Sequence, residues 1–579
     1  MKIRRPGAGM MIFVLCGAIF LGSPVRVATD SRYSTLVGEA LLRHGSLALD
    51  AWFPDRAHLP YQVEAVGAHL YWWHPAGGPL LATPFVWVFD RLGVSAVGPN
   101  GAYETRGDVI IQGTLAALLM ALAAALFLGT AAAILSRPTA VPAARRWSWV
   151  VALGGALGTQ VWTTASRVLW GDTFLVLILG AVVWLLVAHE TGRRRLSAPL
   201  LASLLAWGYF VRPTASISIV AVTIYVAFTD RRRFAALVAT GGAWLALFLL
   251  WSRLTFGTWL PTYYRLNTFS LRTFGGGLLG ILVSPSRGQL VFVPVTAFVL
   301  YLAARYRRAL PHARLAATAL GAVLGHVALI AAYELWHGGH SYGPRYLTPT
   351  VPWLVLLAAL GLRALLAERR RGARVELGAG AVLLACSVLV QARGALARET
   401  WQWNVTPDNV SDNPGRVWDW RHPQPLAGLV ATPPRAFPPL SVGERVDFGG
   451  AAAAPYLVSG WSDGEGSYRW TDGRAAELAF SLAATTPIVL EMEIEAFVPR
   501  RVGAQRVTLS LNGAPIETLR LDRPGTTHVE VRLPAERLAA QNRLRLALPD
   551  AAFASPLGLG ADSRQLAVAV HWLRLRRAE

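Results

Sequence analysis

The stretch RRRLSAPLLASLLAWGYFVRPTASISIVAVTIYVAFTDRRR, residues 193–233, decides the fold. It is one long apolar run with an arginine triplet at each end, and Lys and Arg near span ends collect on the cytoplasmic side of a membrane. A single crossing would put one triplet outside. Two short crossings that meet near Arg212 and Pro213 keep both inside, and proline is where a helix breaks most readily. Further apolar runs able to cross roughly 30 Å of hydrocarbon lie near 9–27, 109–135, 148–168, 172–189, 235–254, 288–304, 315–335, 348–367 and 375–392. The expectation is a polytopic α-helical protein of the inner (plasma) membrane with about eleven transmembrane helices, a cytoplasmic N-terminus and a periplasmic or extracellular C-terminal domain.

Composition points the same way, with 54% hydrophobic and only 15% charged residues. A net charge of +21 could suit nucleic acid, but the basic residues sit in short clusters between apolar runs: KIRR at 2–5, Arg137 with Arg145 and Arg146, the two RRR triplets, RYRR at 305–308 with Arg314, and RRRGAR at 369–374. All fall on one side of this topology, so the positive-inside rule accounts for most of the excess and no nucleic-acid partner is implied. The partner implied by the clusters is membrane lipid. Cys16 and Cys386 both lie in apolar runs, which leaves the polar regions without disulfides or thiolate metal clusters. The first apolar run could be a signal peptide, but Arg26 stands where a small residue should precede cleavage after Ala28, so a retained helix is expected.

The sequence divides into a transmembrane domain at 1–392 with a large external loop at 28–108, an external connector at 393–454 and an external domain at 455–579. Within the first, residues 255–287 begin too polar and end too apolar for a plain loop, which suggests a re-entrant or interfacial piece. From about 455 onward, segments such as IVLEMEIEAFV, RVTLSL, HVEVRL and QLAVAVHWLRL alternate with period two between turn signals, the pattern of an antiparallel β-sandwich. Asn512-Gly513 marks one tight hairpin.

The external loop opens with VATDSRYSTLVGEALLRHGSLALDAWF, residues 27–53. Tyr33, Leu36, Val37, Ala40 and Leu41 share one face of a helix that should end near Gly45. Thr29 or Asp30 could be its N-cap, worth about 1 kcal/mol and requiring no chemistry. A carboxylate engaged by helix N–H groups would also be a poorer base, so capping and catalysis are partly exclusive roles for Asp30.

This D-x-R-Y segment, followed by LPYQVEAVGAHLYWWHPAGGPLLATPF at 59–85, resembles the first external loop of GT-C glycosyltransferases. These are multi-span enzymes that take a sugar from a polyprenyl-phosphate carrier, among them the protein O-mannosyltransferases and aminoarabinose transferases. The resemblance continues through TQVWTTASRVLWGD at 159–172, YFVRPTASI at 209–217, FGTWLPTYY at 256–264, SPSRGQLVFVP at 284–294 and WHGGHSYGPRYLTPTVP at 336–352. It is the ordered set that carries it. The implied activity is hexosyl or pentosyl transfer from a polyprenyl-phosphate-linked sugar to an external acceptor, with Asp30 as general base. Ser31 stands where many members carry a second acid, which weakens any case for a metal.

Sugar transfer with inversion needs a base for the acceptor hydroxyl and positive charge for the departing phosphate, and arginine's planar fork suits the second. Arg345, Arg287 and Arg212 are the candidate donor-phosphate contacts, with Arg345 leading. Each could instead snorkel to lipid phosphates. Arg32, Tyr33, His74, His337, Tyr342 and Tyr346 are candidate substrate contacts. His337 and His340, three apart beside two glycines, are too little for a metal site, so no cofactor is implied, although a divalent metal stays open. Glu334 could be a second acid–base residue or an arginine's partner, and Asp172 could stand in the same relation to Arg167. Trp461 and Trp470, with Tyr468, could stack on sugars or fill the sandwich core. Two other readings remain: a lipid-linked glycan flippase or transporter, which predicts midplane charges or paired repeats, and a non-catalytic membrane anchor for a sugar-binding sandwich.

Overall fold

The computed structural model describes residues 7–54, 56, 59–136, 144–265, 269–368, 371–411, 413–430, 437–482, 487–499, 502–553 and 564–578. The chain forms two compact units, 1–433 and 434–579. Of the basic clusters, KIRR at 2–5, Arg137, Arg369 and Arg370 lie outside the described residues.

The first unit is helical: α1 Ala8–Gly22, α2 Ser34–His44, α3 Gly77–Arg91, α4 Thr105–Leu135, α5 Ala144–Leu157, α6 Gly171–Glu190, α7 Ala198–Val211, α8 Ser216–Thr229, α9 Arg231–Phe256, α10 Phe274–Val283, the one-turn α11 Gln289–Phe292, α12 Val295–Arg305, α13 Ala313–Ala331, α14 Val351–Ala367 and α15 Arg371–Leu396. A hairpin, β1 Val63–Val66 and β2 His69–Trp72, lies between α2 and α3. Among the described residues six helices are long and apolar enough to cross a membrane, in the regions of α4, α6, α9, α13, α14 and α15, and five shorter apolar helices accompany them. The expected count of eleven is therefore met by length in only six. α9 and α15 bury just 11% and 17% of their apolar windows inside the protein. Leu247, Leu250 and Leu254 on α9 and Val382 and Leu389 on α15 are exposed, so these faces are suited to lipid and not to water.

Of three broken apolar runs, one matches the expectation and two differ from it. The run 198–229 breaks as expected, with α7 ending at Val211, Arg212 extended and Pro213 opening a 3-10 turn into α8. The run 148–168 is not one helix: α5 stops at Leu157 and residues Val161–Ala165 form a π-helical turn. Buried Gln160 and Thr163 there hydrogen-bond to Gln289 and Gln391, which favours the irregular backbone over a continued helix. The run 288–304 is broken between α11 and α12 at Pro294, whose ring cannot continue the helix that precedes it.

At the centre of the unit, α4 packs on α1, α5, α6 and α14. Fully buried Phe20, Phe127 and Trp353 fill the interior, and the Trp353 indole donates to Ser218 Oγ at 3.1 Å. A smaller core of Tyr33, Leu36, Val37, Ala40, Leu49 and Leu70 holds α2 against the hairpin.

The second unit contains β3 Arg445–Asp447, β4 Leu457–Ser459, β5 Trp461–Glu465, β6 Tyr468–Asp472, β7 Ala475–Ser481, β8 Ile488–Ala496, β9 Gln505–Leu511, β10 Ala514–Leu521, β11 Thr526–Leu533, β12 Gln541–Ala547, β13 Ala552–Phe553 and β14 Gln565–Arg577. They form two antiparallel sheets in the orders β10-β9-β12-β7-β4 and β11-β8-β14-β6-β5, with β3 and β13 also on β14. Asn512 and Gly513 adopt φ 51° and 85°, as the tight β9–β10 turn requires. The strands β8, β9, β11 and β12 point alternate side chains inward, so that Leu490, Leu509, Val531 and Leu546 meet in one core.

Candidate active site

Asp30 sits in a tight turn between α1 and α2, where Arg32 N–H donates to Thr29 O and Ser34 N–H to Ser31 O, both at 3.0 Å. It is not the cap of α2. That position belongs to Tyr33, which has no side-chain cap bond of its own, and its N–H is accepted by Asp108 from α4. The Asp30 carboxylate turns away from its own helix into a cavity of about 680 Å³.

Opposite it stands Arg345, at the N-terminal end of the 3-10 turn that leads into α14. Its Nη2 lies 2.8 Å from Asp30 Oδ2, with the two side chains 7% and 32% exposed, so the arginine is enclosed while the carboxylate still faces the cavity. The guanidinium carbon lies 4.3 Å over the Trp170 ring and 4.9 Å over Tyr346, contacts that favour a cation out of bulk water. Arg212 approaches Tyr346 at 5.3 Å and pairs with fully buried Asp172 at 2.9 Å. Tyr346 therefore stands next to two arginines, each with its own carboxylate. Arg345 Nε and Asp172 Oδ1 have no hydrogen-bond partner among the described residues.

Asp30 Oδ1 also accepts a 3.0 Å hydrogen bond from the exposed Tyr61 hydroxyl. Burial works against the Asp30 carboxylate, but the Arg345 charge, His74 and the Tyr61 bond outweigh it and hold its pKa below the usual aspartate value. It is a charged but weakly basic group at neutral pH. His74 is pushed down to about 4 by burial, and by the arginines against the pull of Asp30. His337 is likewise held at about 4 by burial and by Arg287 and Arg345. Both imidazoles are neutral near pH 7 and offer hydrogen bonds without charge.

The cavity is lined by Asp30, Arg32, His74, Arg212, His337, Arg345 and Tyr346 from the sequence expectation, and by Tyr61, Trp170 and Tyr263 in addition. Three expected contacts lie elsewhere. Arg287 is fully buried and donates to Ser286 O, His337 O, Gly339 O, Gln424 Oε1 and Asn404 Oδ1 at 2.6–2.9 Å. With its five N–H groups committed, it clamps the 337–339 turn and has none left for a phosphate. Tyr33 packs on Phe53 and Tyr103 in the core beneath α2. Tyr342 packs on Phe292 and donates to Val390 O. Asp172 pairs with Arg212 and not with Arg167, whose guanidinium caps the end of α1 through Phe20 O and Ser23 O. Glu334 is exposed, and His340 bonds to Asn409.

Among the described residues no three His, Cys, Asp or Glu side chains converge as a metal site. In the second unit, half-buried Trp461 packs on Phe448 at the edge of the core and its indole donates to Glu477 O. Trp470 is half-buried beside Tyr468 and Phe497.

A second recess, of about 210 Å³, is lined by Trp207 and Phe210 of α7, by Trp244, Phe248 and Trp251 of α9, and by Trp72 and Trp73. It shares Trp72, Trp73, His74, Pro75 and Tyr263 with the first cavity, so the two lie wall to wall.

No family model matches the chain, and no curated protein does. Among solved structures it is similar to a family 35 carbohydrate binding module from an environmental isolate (17% identity, 24% of this chain and 96% of that one, TM-score 0.14). It is also similar to a family GH115 4-O-methyl-alpha-glucuronidase with specificity for decorated arabinogalactans (11% identity, 69% and 44%, TM-score 0.17). The arabinosyltransferase EmbB from Mycobacterium smegmatis is matched over 100% of this chain and 66% of that one, at 12% identity and TM-score 0.34. At such TM-scores the likenesses assign neither fold nor activity.

Proposed function

We propose that this chain is a membrane glycosyltransferase that moves a sugar from a polyprenyl-phosphate donor to an acceptor hydroxyl on the external face. The observation that carries the reading is the Asp30–Arg345 pair in one cavity, wall to wall with an apolar aromatic recess on α7 and α9. The recess suits the prenyl chain and the cavity the phosphate and sugar.

At rest Asp30 and Arg345 neutralise one another. A donor phosphate that takes the Arg345 and Arg212 charges frees Asp30 and raises its basicity toward what a general base needs. The acceptor O–H then gives its proton to Asp30, its oxygen forms a bond to the sugar's anomeric carbon, and the bond from that carbon to phosphate oxygen breaks. The electron pair leaves with the polyprenyl phosphate, whose added negative charge the two arginines stabilise. Neutral His74 and His337 supply hydrogen bonds to sugar hydroxyls without competing for the phosphate.

The test is incubation of purified protein with a set of labelled polyprenyl-phosphate sugars and lysed-envelope acceptor, measuring carrier phosphate release with and without Asp30→Asn. Transfer by the wild type and loss in the variant support the reading. Equal transfer by both removes Asp30 as the base, and no consumption of any donor removes the activity itself.

A further inference from the structure

Asp108 and Gln112 stand one turn apart on the same face of α4, and both are fully buried. Asp108 accepts from Tyr33 N–H at 3.3 Å, Thr35 Oγ1 at 2.5 Å, Tyr103 hydroxyl at 2.7 Å and Gln112 Nε2 at 2.7 Å. A carboxylate in the interior is tolerated only when its oxygens are satisfied in this way. The Gln112 amide reaches in two further directions. Its Nε2 donates to Ser31 O at 3.0 Å, and its Oε1 accepts from Leu169 N–H at 3.3 Å.

Those two contacts lie next in the chain to both sides of the candidate centre. Ser31 follows Asp30, and Leu169 precedes Trp170, the ring on which Arg345 lies at 4.3 Å. Tyr33 holds φ 67°, an arrangement that a bulky residue adopts only when its surroundings enforce it. Its N–H is one of the groups that Asp108 accepts. Neither Asp108 nor Gln112 lines the cavity, so neither can act on a substrate directly.

We propose that Asp108 and Gln112 are positioning residues: a bracket on α4 that ties the 30–35 turn and the 168–170 turn to one rigid helix, and thereby sets Asp30 against the Trp170–Arg345 wall. The inference rests on the function proposed above. A carboxylate on a tight turn keeps reactive geometry only if the turn is held, and an error of about 1 Å costs about a hundredfold in rate.

The test is amide hydrogen exchange and steady-state transfer on the full-length protein in detergent, with Gln112→Met and the milder Thr35→Val. Gln112→Met is expected to speed exchange at residues 29–35 and at Leu169 while β8 of the second unit stays protected. It should lower kcat per folded molecule by about tenfold to a hundredfold with donor KM within about twofold. Thr35→Val should loosen 33–35 alone and cost less. A merely structural role would lower the amount of folded protein and leave kcat per folded molecule intact, which overturns the proposal. Unchanged exchange at both turns overturns it as well. If Gln112→Met does not fold, Thr35→Val carries the test through exchange at 33–35 and kcat per folded molecule, and no change in either overturns the proposal. If the wild type consumes no donor, the proposed function falls, while the exchange data still decide whether the bracket holds the two turns.

Discussion

Arg287 and Arg345 are both buried arginines at the same glycine-containing turn, 337–345, and they are opposites. Arg287 spends five N–H groups on three carbonyls and two side-chain amides. Arg345 lies on two aromatic rings, pairs with one carboxylate that still faces a cavity, and keeps its Nε without a partner. The contrast teaches that burial of a cation says little about its role. What separates a clamp from a binding group is whether its donors are already committed.

The comparison can be broken most sharply at Asp30. Asp30→Asn keeps the shape and removes the base, and should lower transfer by about a hundredfold to ten-thousandfold per folded molecule with a lowered unfolding midpoint, because Arg345 loses its charge partner, as checked by carrier phosphate release and thermal scans in detergent. Arg345→Ala should cost about a hundredfold to a thousandfold in kcat/KM, and Arg345→Lys should recover only part of it, because an ammonium cannot present two parallel donors.

Arg287→Met sharpens the other side. Removal of that guanidinium strands carbonyl and amide acceptors in the interior, so a stability loss of roughly 3 kcal/mol is expected, with donor KM of the surviving folded protein within about twofold. A loss of donor affinity without a loss of stability would reverse the assignment of clamp and contact.

The smallest expected effect is on pH dependence. Asp30 has a lowered pKa in the free protein, so it stays deprotonated to more acidic pH than an ordinary aspartate at about 3.9. The acid limb of kcat/KM, which reports the free protein, should therefore lie below that value. In the donor complex the phosphate takes the Arg345 charge, the Asp30 pKa rises, and the acid limb of kcat should move to higher pH. Coincident limbs would mean that Arg345 stays with Asp30 throughout.

Much of this was legible in residues 193–233, where two arginine triplets around Arg212-Pro213 require a helical hairpin, and in the period-two segments after 455. Asp30, Arg212, Arg345, His74, His337 and Tyr346 could be picked out only through the ordered set of segments that resembles the GT-C glycosyltransferases; the local pattern alone left Asp30 as a candidate helix cap. Tyr61, Trp170 and Tyr263 could not be distinguished there from other loop and interface aromatics, since only their approach to Asp30, Arg345 and His74 sets them apart. The same limit explains Arg287: its partners Gln424 and Asn404 lie more than a hundred residues away along the chain, and no local pattern announces them.

The breaks in the 148–168 and 288–304 runs divide along the same line. Pro294 is local and readable, whereas the π-turn at Val161–Ala165 is supported by Gln289 and Gln391, residues from other segments. The sequence by itself determined which segments are apolar, where they turn and which residue types stand at their ends, because hydrophobic burial and backbone breaking act over a few neighbouring residues. Only the tertiary structure decided which arginine is committed, which carboxylate faces a cavity and which helix holds it there, because hydrogen-bond satisfaction is settled between groups far apart in the chain.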